Sequence, residues 1–362
     1  MKTSNNRLKK VLAFVLCLSM IFVSSTTLAF ATDTDTLRCS YIEDLPDGGK
    51  IYVYVIDGVE NMFPVPPEGF HPLTASDEAL EIYGFPPRPS DPDELAKWTE
   101  NMSAWKETPI PEIEQTERVH GFMQPAPMGT ISPLAVTGTS CSTNWSGYVA
   151  TGGKNAFAQV QGDFVQPTVQ SGCNSNTYES TWVGLGGNTS SSLVQTGTAM
   201  NTRNGGRNYY AWYEYLSTSH PNPEIVFTKV TVRPGDRIHC YCSFQRANNK
   251  FNAYVANNTN GTSQSVIVNI SSSEYYDGTS AEFINERPSL SNGSQSWTAP
   301  LTRYGTTNWT NCQVFRTTST WTNLGSLSTT RLIMVSDDGR RTLATPSGLS
   351  GRTFTSTWNN YS

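Results

Sequence analysis

The sequence predicts an all-β fold, an antiparallel sandwich or barrel, for residues 131–362. From about Asn144 onward, Thr, Ser, Asn, Gly and aromatic residues dominate, and short alternating runs are separated by turn residues. No amphipathic helical pattern interrupts these runs. Many short strands at roughly ten-residue spacing are typical of sandwiches and barrels. A unit of about 220 residues is also within the usual size of this class.

Four runs illustrate the strand pattern. IVFTKVTV is followed by the turn RPGD and then by RIHCYCSF, while NKFNAYVAN and SVIVNI flank the turn NTNG. Side chains alternate between the two faces of a strand. For RIHCYCSF this predicts Ile238, Cys240, Cys242 and Phe244 on one face and His239, Tyr241 and Ser243 on the other.

The first 31 residues have the parts of a secretory signal peptide. A basic start is followed by an apolar stretch over residues 11–23 and by an A-x-A site that ends at Ala31. The apolar stretch is shorter than the roughly 20 residues that cross a bilayer. The sequence therefore predicts cleavage after Ala31, a secreted, extracellular protein and no membrane association afterwards. The alternative is an uncleaved signal anchor.

Residues 32–130 are acidic and rich in proline. They carry 19 Asp and Glu against 6 Lys and Arg, whereas residues 131–362 carry 11 against 15. We expect only a strand over residues 50–57 and a helix near residues 90–106 here. The asymmetry indicates an acidic segment that lies against a mildly basic body. We interpret the segment as a removable propeptide, with a linker or small accessory domain as the alternative.

Cysteine and histidine usage argues against a metal site. After signal cleavage the remaining cysteines of residues 131–362 are Cys141, Cys173, Cys240, Cys242 and Cys312. One or two disulfides are expected in an oxidising compartment, but their pairing does not follow from sequence. No C-x-x-C pair occurs and the four His are scattered, so we expect no metal and no cofactor. No dense basic patch with interleaved aromatics predicts a nucleic-acid partner.

Two carboxylates stand out among the 11 of residues 131–362. Glu214 lies in the aromatic run YYAWYEYL, and Glu282 lies between Ala281 and Phe283 in SAEFINERP. A carboxylate in an aromatic-lined cleft can act first as a base and then as an acid. A structural ion pair or an exposed strand face is the alternative for either residue. Few carboxylates also favour acid tolerance, because acid unfolds proteins largely by protonating paired carboxylates.

Other hydrolytic arrangements fit less well. Gln195-Thr196-Gly197 has the form of the Asp-Thr-Gly signature of aspartic peptidases with Gln in place of Asp, and the chain offers no pair of Asp-Thr-Gly sites. No G-x-S-x-G motif occurs, and the scattered His leave no obvious base for a Ser or Cys nucleophile. Ser and Cys nucleophiles are therefore disfavoured, although the residues of a triad need not be close in sequence.

Five short motifs follow one another in residues 131–362. They are TNWSGYVA at 143–150, STWVGLGG at 180–187, LVQTG at 193–197, YAWYEY at 210–215 and SAEFINERP at 280–288. Together this series resembles the glutamic peptidases, the eqolisin family of acid endopeptidases. The resemblance implies a jelly-roll or concanavalin-like β-sandwich of two packed sheets, with a Gln/Glu dyad on one concave face. Residues 66–89 also resemble the pro-segment of such enzymes.

The resemblance assigns roles residue by residue. The dyad maps to Gln195 of LVQTG and to Glu282 of AEFINE. Glu282 would accept a proton from the attacking water and return it to the leaving amine, while the amide N–H of Gln195 stabilises the oxyanion. The cleft and supporting residues are Trp182, Gly184, Gly197, Trp212, Tyr213 and Glu214.

The sequence differs from the fungal pattern at three places. That pattern has Asp at the positions of Gly186 and Tyr210, and Trp at the position of Phe283. Both predicted dyad positions are intact. The pH optimum and the subsite preference are the properties that these changes affect.

The resulting hypothesis is a secreted, monomeric acid endopeptidase that acts on polypeptides and is inhibited by its own propeptide. The acidic segment would dock on the basic body at neutral pH, and acidification would release it. One alternative is a sandwich glycoside hydrolase with Glu214 and Glu282 as its carboxylate pair. Another is a non-catalytic carbohydrate-binding module with Trp182, Trp212 and Tyr213 as a stacking platform.

Overall fold

The computed structural model describes most of the chain beyond the predicted signal peptide. The described ranges are 35–127, 138–170, 176–188, 190–217, 223–270, 276–291, 294–317 and 320–361. We call residues 35–127 the N-terminal segment and the described residues from 138 onward the body. No helix in these ranges is long and apolar enough to cross a membrane.

The N-terminal segment contains short strands and two described helices. Its elements are β1 (Asp35–Thr36), β2 (Tyr41–Asp44), β3 (Lys50–Ile56), β4 (Val59–Val65), α1 (Asp77–Ile82), α2 (Pro92–Ser103), β5 (Ile113–Gln115) and β6 (Arg118–Val119). The predicted strand and helix are confirmed as β3 and α2. Asp91 caps α2 by accepting from the backbone N–H groups of Asp93 and Glu94, which have no partner inside the helix.

The body is built from strands and one short 3-10 helix, Leu324–Ser326. Its strands are β7 (Thr139–Ser142), β8 (Trp145–Thr151), β9 (Phe157–Val165), β10 (Thr177–Gly186), β11 (Ser192–Arg203), β12 (Gly206–Ser217), β13 (Ile225–Thr231), β14 (Arg237–Gln245), β15 (Lys250–Asn257), β16 (Thr262–Asn269), β17 (Ser280–Glu286), β18 (Ser289–Ser291), β19 (Ser296–Thr298), β20 (Thr306–Arg316), β21 (Thr320–Asn323), β22 (Thr329–Val335), β23 (Thr342–Pro346) and β24 (Phe354–Trp358).

The body is a sandwich of two sheet layers that are continuous through the antiparallel pair β22–β23, and β18 and β19 form a separate small sheet with β6. The first has the order β22-β8-β17-β10-β11-β12-β13, with β7 parallel to β22. The second has the order β23-β24-β20-β9-β14-β15-β16, with β21 also on β20. Apart from β7–β22 these pairs are antiparallel, which confirms the predicted all-β sandwich. The N-terminal segment extends both sheets, because β5 pairs with β13 and β4 pairs with β16.

The main apolar core lies between the two sheets. Val183 and Phe283 of the first sheet belong to the same buried cluster as Val160 and Phe251 of the second. The alternation predicted for β14 is confirmed, since Ile238, Cys240, Cys242 and Phe244 all belong to this cluster. Tyr241 instead packs with apolar residues of α1 and α2. The helices of the N-terminal segment therefore cover the outer face of the second sheet.

The described cysteines are all free thiols. They are Cys39, Cys141, Cys240, Cys242 and Cys312. Cys240 and Cys242 are completely buried and pack in the core, as small apolar residues do. The expected disulfides are therefore absent among these five cysteines, and Cys173 lies outside the described residues.

Candidate active site

Strand register places the predicted site residues on one face of the first sheet. Gln195 on β11 lies opposite Gly184 on β10 and opposite Glu214 on β12. Gly184 also lies opposite Glu282 on β17. Residues directly opposite each other on neighbouring strands point to the same side of a sheet. We call this side, which faces away from the main core, the site face.

Two buried tryptophans lie beside Gln195 on the site face. Trp182 is opposite Gly197, and Gly197 is opposite Trp212. A Cβ on Gly197 would lie 2.7 Å from the Cβ of Trp182, and one on Gly184 would lie 2.8 Å from the ring of Trp182. A side chain at Gly184 would displace the Trp182 indole, and one at Gly197 would collide with the Thr181 carbonyl oxygen and with the backbone of Trp182.

Gln195 is held by Glu214. Its Nε2 donates to Oε2 of Glu214 at 2.6 Å, and both side chains are completely buried. Burial raises the pKa of the Glu214 carboxyl well above its usual value, although the charge of His120 opposes this shift. Oε1 of Gln195 has no hydrogen-bond partner among the described residues. The amide is therefore fixed in orientation and retains an unused acceptor.

Glu286 is a third buried carboxylate, which the sequence analysis did not single out. Its Oε2 accepts from the indole Nε1 of Trp182 at 2.8 Å, and its Oε1 lies 3.4 Å from Nδ2 of Asn144. Glu286 follows Glu282 by four positions on β17 and so points to the same face. The sequence does carry a signal for Glu286, because alternation along AEFINE places Glu282 and Glu286 on the same strand face.

His120 of the N-terminal segment inserts among these carboxylates. Its backbone N–H lies 3.2 Å from both carboxylate oxygens of Glu214. Its ring Nδ1 lies 3.0 Å from Glu286 Oε2, and its Nε2 lies 2.7 Å from Glu224 Oε2. The ring also stacks on Trp212, with centroids 3.9 Å apart and planes 7° from parallel.

The charge of His120 follows from these contacts. Burial by itself lowers the pKa of the imidazole, but the carboxylates of Glu286 and Glu224 outweigh burial and raise that pKa to about 10. His120 is therefore an imidazolium whose two ring N–H groups both donate. The N-terminal segment thus supplies a buried cation to the site face.

Glu224 is the fourth buried acid of the site, and it was not one of the two carboxylates singled out from the sequence. Its carboxylate accepts from the Tyr210 hydroxyl at 2.6 Å and from Thr116 at 3.1 Å. Burial raises its pKa, but Arg118, His120 and Thr116 together lower that pKa below the usual value. Glu224 is therefore ionised in this arrangement.

Residues 116–124 cross the site face, with the strand β6 at Arg118–Val119 and bends at Glu117 and Phe122. Gly121 N–H donates to Glu286 Oε1 at 3.2 Å, so the segment occupies this carboxylate through its backbone as well as through His120. The backbone bonds to the body include Glu224 N–H to Arg118 O at 2.9 Å, Thr116 N–H to Glu224 O at 3.2 Å, Ser291 N–H to Glu117 O at 3.1 Å, Met123 N–H to Gly187 O at 3.2 Å and Thr143 N–H to Gln124 O at 3.0 Å. These bonds do not depend on side-chain identity.

Glu282 lies on the site face but outside this network. Burial raises its pKa well above the usual value, against weaker effects of Ser280 and of the Gly186 backbone N–H. Neither of its oxygens makes a hydrogen bond of normal geometry with the described residues. Gln195 and Glu282 thus share a row across Gly184, but no described hydrogen bond joins them or links Glu282 to Glu214.

Tyr213 lies on the opposite face from Trp212. Its ring packs against Phe63 and Phe227, and its hydroxyl donates to Asn61 at 3.0 Å. Successive side chains of a strand point to opposite faces, so YAWYEY cannot present both aromatics to one cleft. The predicted cleft position of Tyr213 is wrong, and so is the stacking platform that included it.

The site face offers donors, acceptors and aromatic walls suited to an extended peptide. Among the described residues, no group of three or more His, Cys, Asp and Glu is arranged to hold a metal ion. A bound water would find a carboxylate that accepts its proton and an amide that both donates and accepts. This combination is suited to hydrolysis of a carbonyl compound by general-base catalysis.

Comparison with known proteins gives a family and a fold. The model of the Peptidase A4 family matches residues 143–358. The structure is similar to scytalido-glutamic peptidase with a transition state analog inhibitor, at 24% identity and a TM-score of 0.52, covering 60% of this chain and 98% of that chain.

Two further structures are similar at lower scores. SCP-B, a member of the eqolisin family in a complex with the tripeptide Ala-Ile-His, has 23% identity and a TM-score of 0.48, covering 60% of this chain and 98% of that one. Aspergilloglutamic peptidase from Aspergillus niger has 25% identity and a TM-score of 0.43, covering 51% and 99%. A search of curated proteins found no match.

Proposed function

Because the chain belongs to the Peptidase A4 family, the glutamic peptidases, and is a peptidase, we propose that Gln195 and a carboxylate of β17 activate water for peptide-bond hydrolysis. The observation that carries this proposal is the buried hydrogen bond from Gln195 to Glu214 on the face where Trp182 binds Glu286. The substrates are polypeptides, and no cofactor takes part.

Two acids of β17, Glu282 and Glu286, are candidates for the general base. Glu214 and Glu286 both bind His120, one through its backbone N–H and the other through its ring Nδ1. A water or peptide that takes the place of His120 can therefore reach the oxygens of Glu286 and the Gln195–Glu214 pair together. Glu282 has no comparable link. Geometry thus favours Glu286 as the base, in place of the Glu282 assigned from sequence.

The proposed mechanism uses one group that titrates, Glu286, and one that stays neutral, Gln195. Glu286 in its carboxylate form takes a proton from the attacking water and later returns it to the leaving amine. Gln195 Nε2 carries two hydrogens, of which Glu214 takes one, so the second can donate to the developing oxyanion. The Trp182 indole N–H orients the Glu286 carboxylate by its bond at 2.8 Å.

The same geometry supports the N-terminal segment as an inhibitory propeptide. His120 and Gly121 donate to Glu286, so they occupy the oxygens that must bind water. The charges here are the reverse of the sequence hypothesis, since the segment supplies the cations Arg118 and His120 and the body supplies the carboxylates. Acid therefore releases the segment by protonating carboxylates of the body as well as those of the segment.

Export follows from the predicted signal peptide of residues 1–31 and from the acid chemistry proposed here. Chain recovered from the culture medium should begin at Thr32 before maturation. After incubation in acid we expect a new N-terminus between Val119 and Cys141. N-terminal sequencing of both forms tests this, and an intact residue 1 in the medium would contradict it.

The decisive experiment compares Glu286→Gln with Glu282→Gln. Each protein is incubated in acid and then with denatured casein at about pH 3 to 4, near the pKa of an ordinary Glu, with pepstatin and with polysaccharides in parallel. We expect pepstatin-insensitive proteolysis that Glu286→Gln abolishes and Glu282→Gln retains. The opposite pattern restores Glu282 as base, while sugar release without proteolysis contradicts the peptidase mechanism.

A further inference from the structure

Arg118 of the N-terminal segment occupies a cage of body residues on the site face. Its guanidinium carbon lies 5.0 Å from the ring centroid of Tyr178 and 4.9 Å from that of Tyr210. Its Nη1 lies 3.4 Å from Glu224 Oε1, and its side chain is only 9% exposed. Two aromatic faces with a carboxylate are a strong combination for a desolvated cation.

The backbone around Arg118 is bound in the manner of an added β-strand. Glu224 N–H donates to the Arg118 carbonyl, and Thr116 N–H donates to the Glu224 carbonyl. On its other side β6 pairs antiparallel with β18. Main-chain bonds of this kind accept any extended peptide, while the pocket under each side chain sets specificity. A substrate that follows the same path places one side chain in the Arg118 cage.

Loss of the N-terminal segment removes most of the partners of Glu224. Thr116, Arg118 and His120 belong to the segment, and among the described side chains that contact this carboxylate the Tyr210 hydroxyl alone belongs to the body. An ionised carboxylate on a largely buried surface is unfavourable without a cation or water. A cationic side chain that enters the cage left by Arg118 would therefore stabilise the Glu224 carboxylate again.

We propose that Tyr178, Tyr210 and Glu224 form a substrate subsite for a cationic side chain, arginine or lysine. This inference rests on the proposed peptidase function and adds a specificity that the Gln/Glu chemistry does not require. Arg118 fills the subsite in the precursor by imitating the substrate residue that the matured enzyme selects.

The subsite is tested by mapping cleavage positions. Acid-incubated protein digests a library of peptides of natural sequence, and mass spectrometry identifies the cleaved bonds. We expect Arg and Lys to be enriched several-fold at one fixed distance from the cleaved bond. Glu224→Gln should lose this enrichment and still cleave peptides that carry neutral residues there. A flat profile, or one that Glu224→Gln leaves unchanged, overturns the subsite.

Matched variants separate the cage from general effects. Tyr178→Phe keeps the ring and should keep the enrichment, whereas Tyr178→Leu should reduce it. Asp338→Asn, on an exposed turn, controls for the loss of one body carboxylate and should change nothing. If Tyr178→Leu and Tyr178→Phe give the same profile, the aromatic cage plays no part.

A binding measurement keeps the subsite testable apart from catalysis. A fluorescent peptide of residues 117–124 and its Arg118→Gln version are titrated into acid-incubated protein, and anisotropy is recorded. We expect the Arg peptide to bind about tenfold tighter, as a desolvated cation–π cage with a carboxylate allows. Equal or absent binding overturns the subsite. If the protein does not cleave casein but still binds the Arg peptide more tightly than the Gln peptide, the result contradicts the peptidase mechanism and leaves the subsite in place.

Discussion

Gln195 Nε2 lies 2.6 Å from Glu214 Oε2, and the two residues face each other directly across β11 and β12. This bond leaves the amide a single orientation, with one N–H and the carbonyl oxygen available to a ligand. A group that is fixed before the substrate arrives stabilises developing charge without reorganisation. In the proposed mechanism the pair is therefore the preorganised electrostatic part of the site.

Gln195→Ala should lower kcat by about 100-fold to 1000-fold, because it removes an oxyanion donor. Glu214→Gln keeps the size of the supporting side chain and should cost less. The measurement is kcat and KM on one peptide substrate after acid incubation, with circular dichroism to verify folding. A wild-type kcat for a folded Gln195→Ala protein would remove Gln195 from the mechanism.

The precursor should convert at a higher pH when His120 is replaced by Ala. The substitution leaves Glu224 and Glu286 buried without their imidazolium, and loss of one partner of a buried ion pair costs about 3–5 kcal/mol. The assay is the pH at which half of the precursor is processed in a fixed time. His71→Ala is the control, because His71 packs on Trp105 within the segment. Equal shifts in both variants would contradict a specific role of His120.

The pH dependence of precursor conversion follows from the directions of two pKa shifts, those of His120 and Glu224. The raised pKa of His120, about 10, means that its stabilising charge is present throughout the neutral and acidic range. The lowered pKa of Glu224 means that its contribution is present above the usual value of 4.5 and is lost as pH falls through the lowered value. Conversion should therefore accelerate below about pH 4.5 and not near the usual pKa of histidine.

The peripheral ion pairs between segment and body should matter less than His120. They follow the sequence hypothesis, with acids of the segment and bases of the body, but they are partly exposed: Glu94–Arg352, Glu100–Arg237, Glu112–Lys229 and Glu117–Arg203. Exposed pairs contribute about 0–1 kcal/mol each.

Replacing Glu94, Glu100, Glu112 and Glu117 by Gln together should therefore move the conversion pH less than His120→Ala does. The processing assay that tests His120 measures both variants. A larger shift from the fourfold variant would show that general charge attraction, and not the insertion of His120, holds the segment.

The parts that the sequence predicted are those set by local alternation. The strand faces of β14 and the existence of α2 depend on neighbours a few positions apart. The buried contacts of Glu286 and Glu224 depend on His120, which is 166 and 104 positions away from them. Burial of a carboxylate is decided by what packs over it, and no local pattern reports a segment from another part of the chain. Tyr213 is the opposite case. The alternation of side chains along a strand, which can be read from the sequence, is enough to place Tyr213 on the face opposite Trp212 and outside the cleft.

Burial of Glu179 contributes a pH dependence in which the folded state gains stability as the pH falls. Its Oε1 accepts from Asn285 at 2.7 Å and from Thr181 at 2.9 Å. Its Oε2 has no hydrogen-bond partner among the described residues. Burial raises the pKa of this carboxyl to about 8 from an ordinary 4.5. Between these values the folded state binds a proton that the unfolded state has lost, so stability falls as pH rises.

Glu179→Gln should remove this dependence, because an amide is neutral at every pH and keeps an oxygen for Asn285 and Thr181. The shift corresponds to a penalty on the order of a few kcal/mol above pH 8. We expect Glu179→Gln to raise the Tm by several degrees at pH 8 and to change it little at pH 4, where Glu179 is already protonated. Scanning calorimetry of the full chain at both pH values measures this. An equal change at both would mean that packing, and not the proton, governs the position, since only the titration differs between the two conditions.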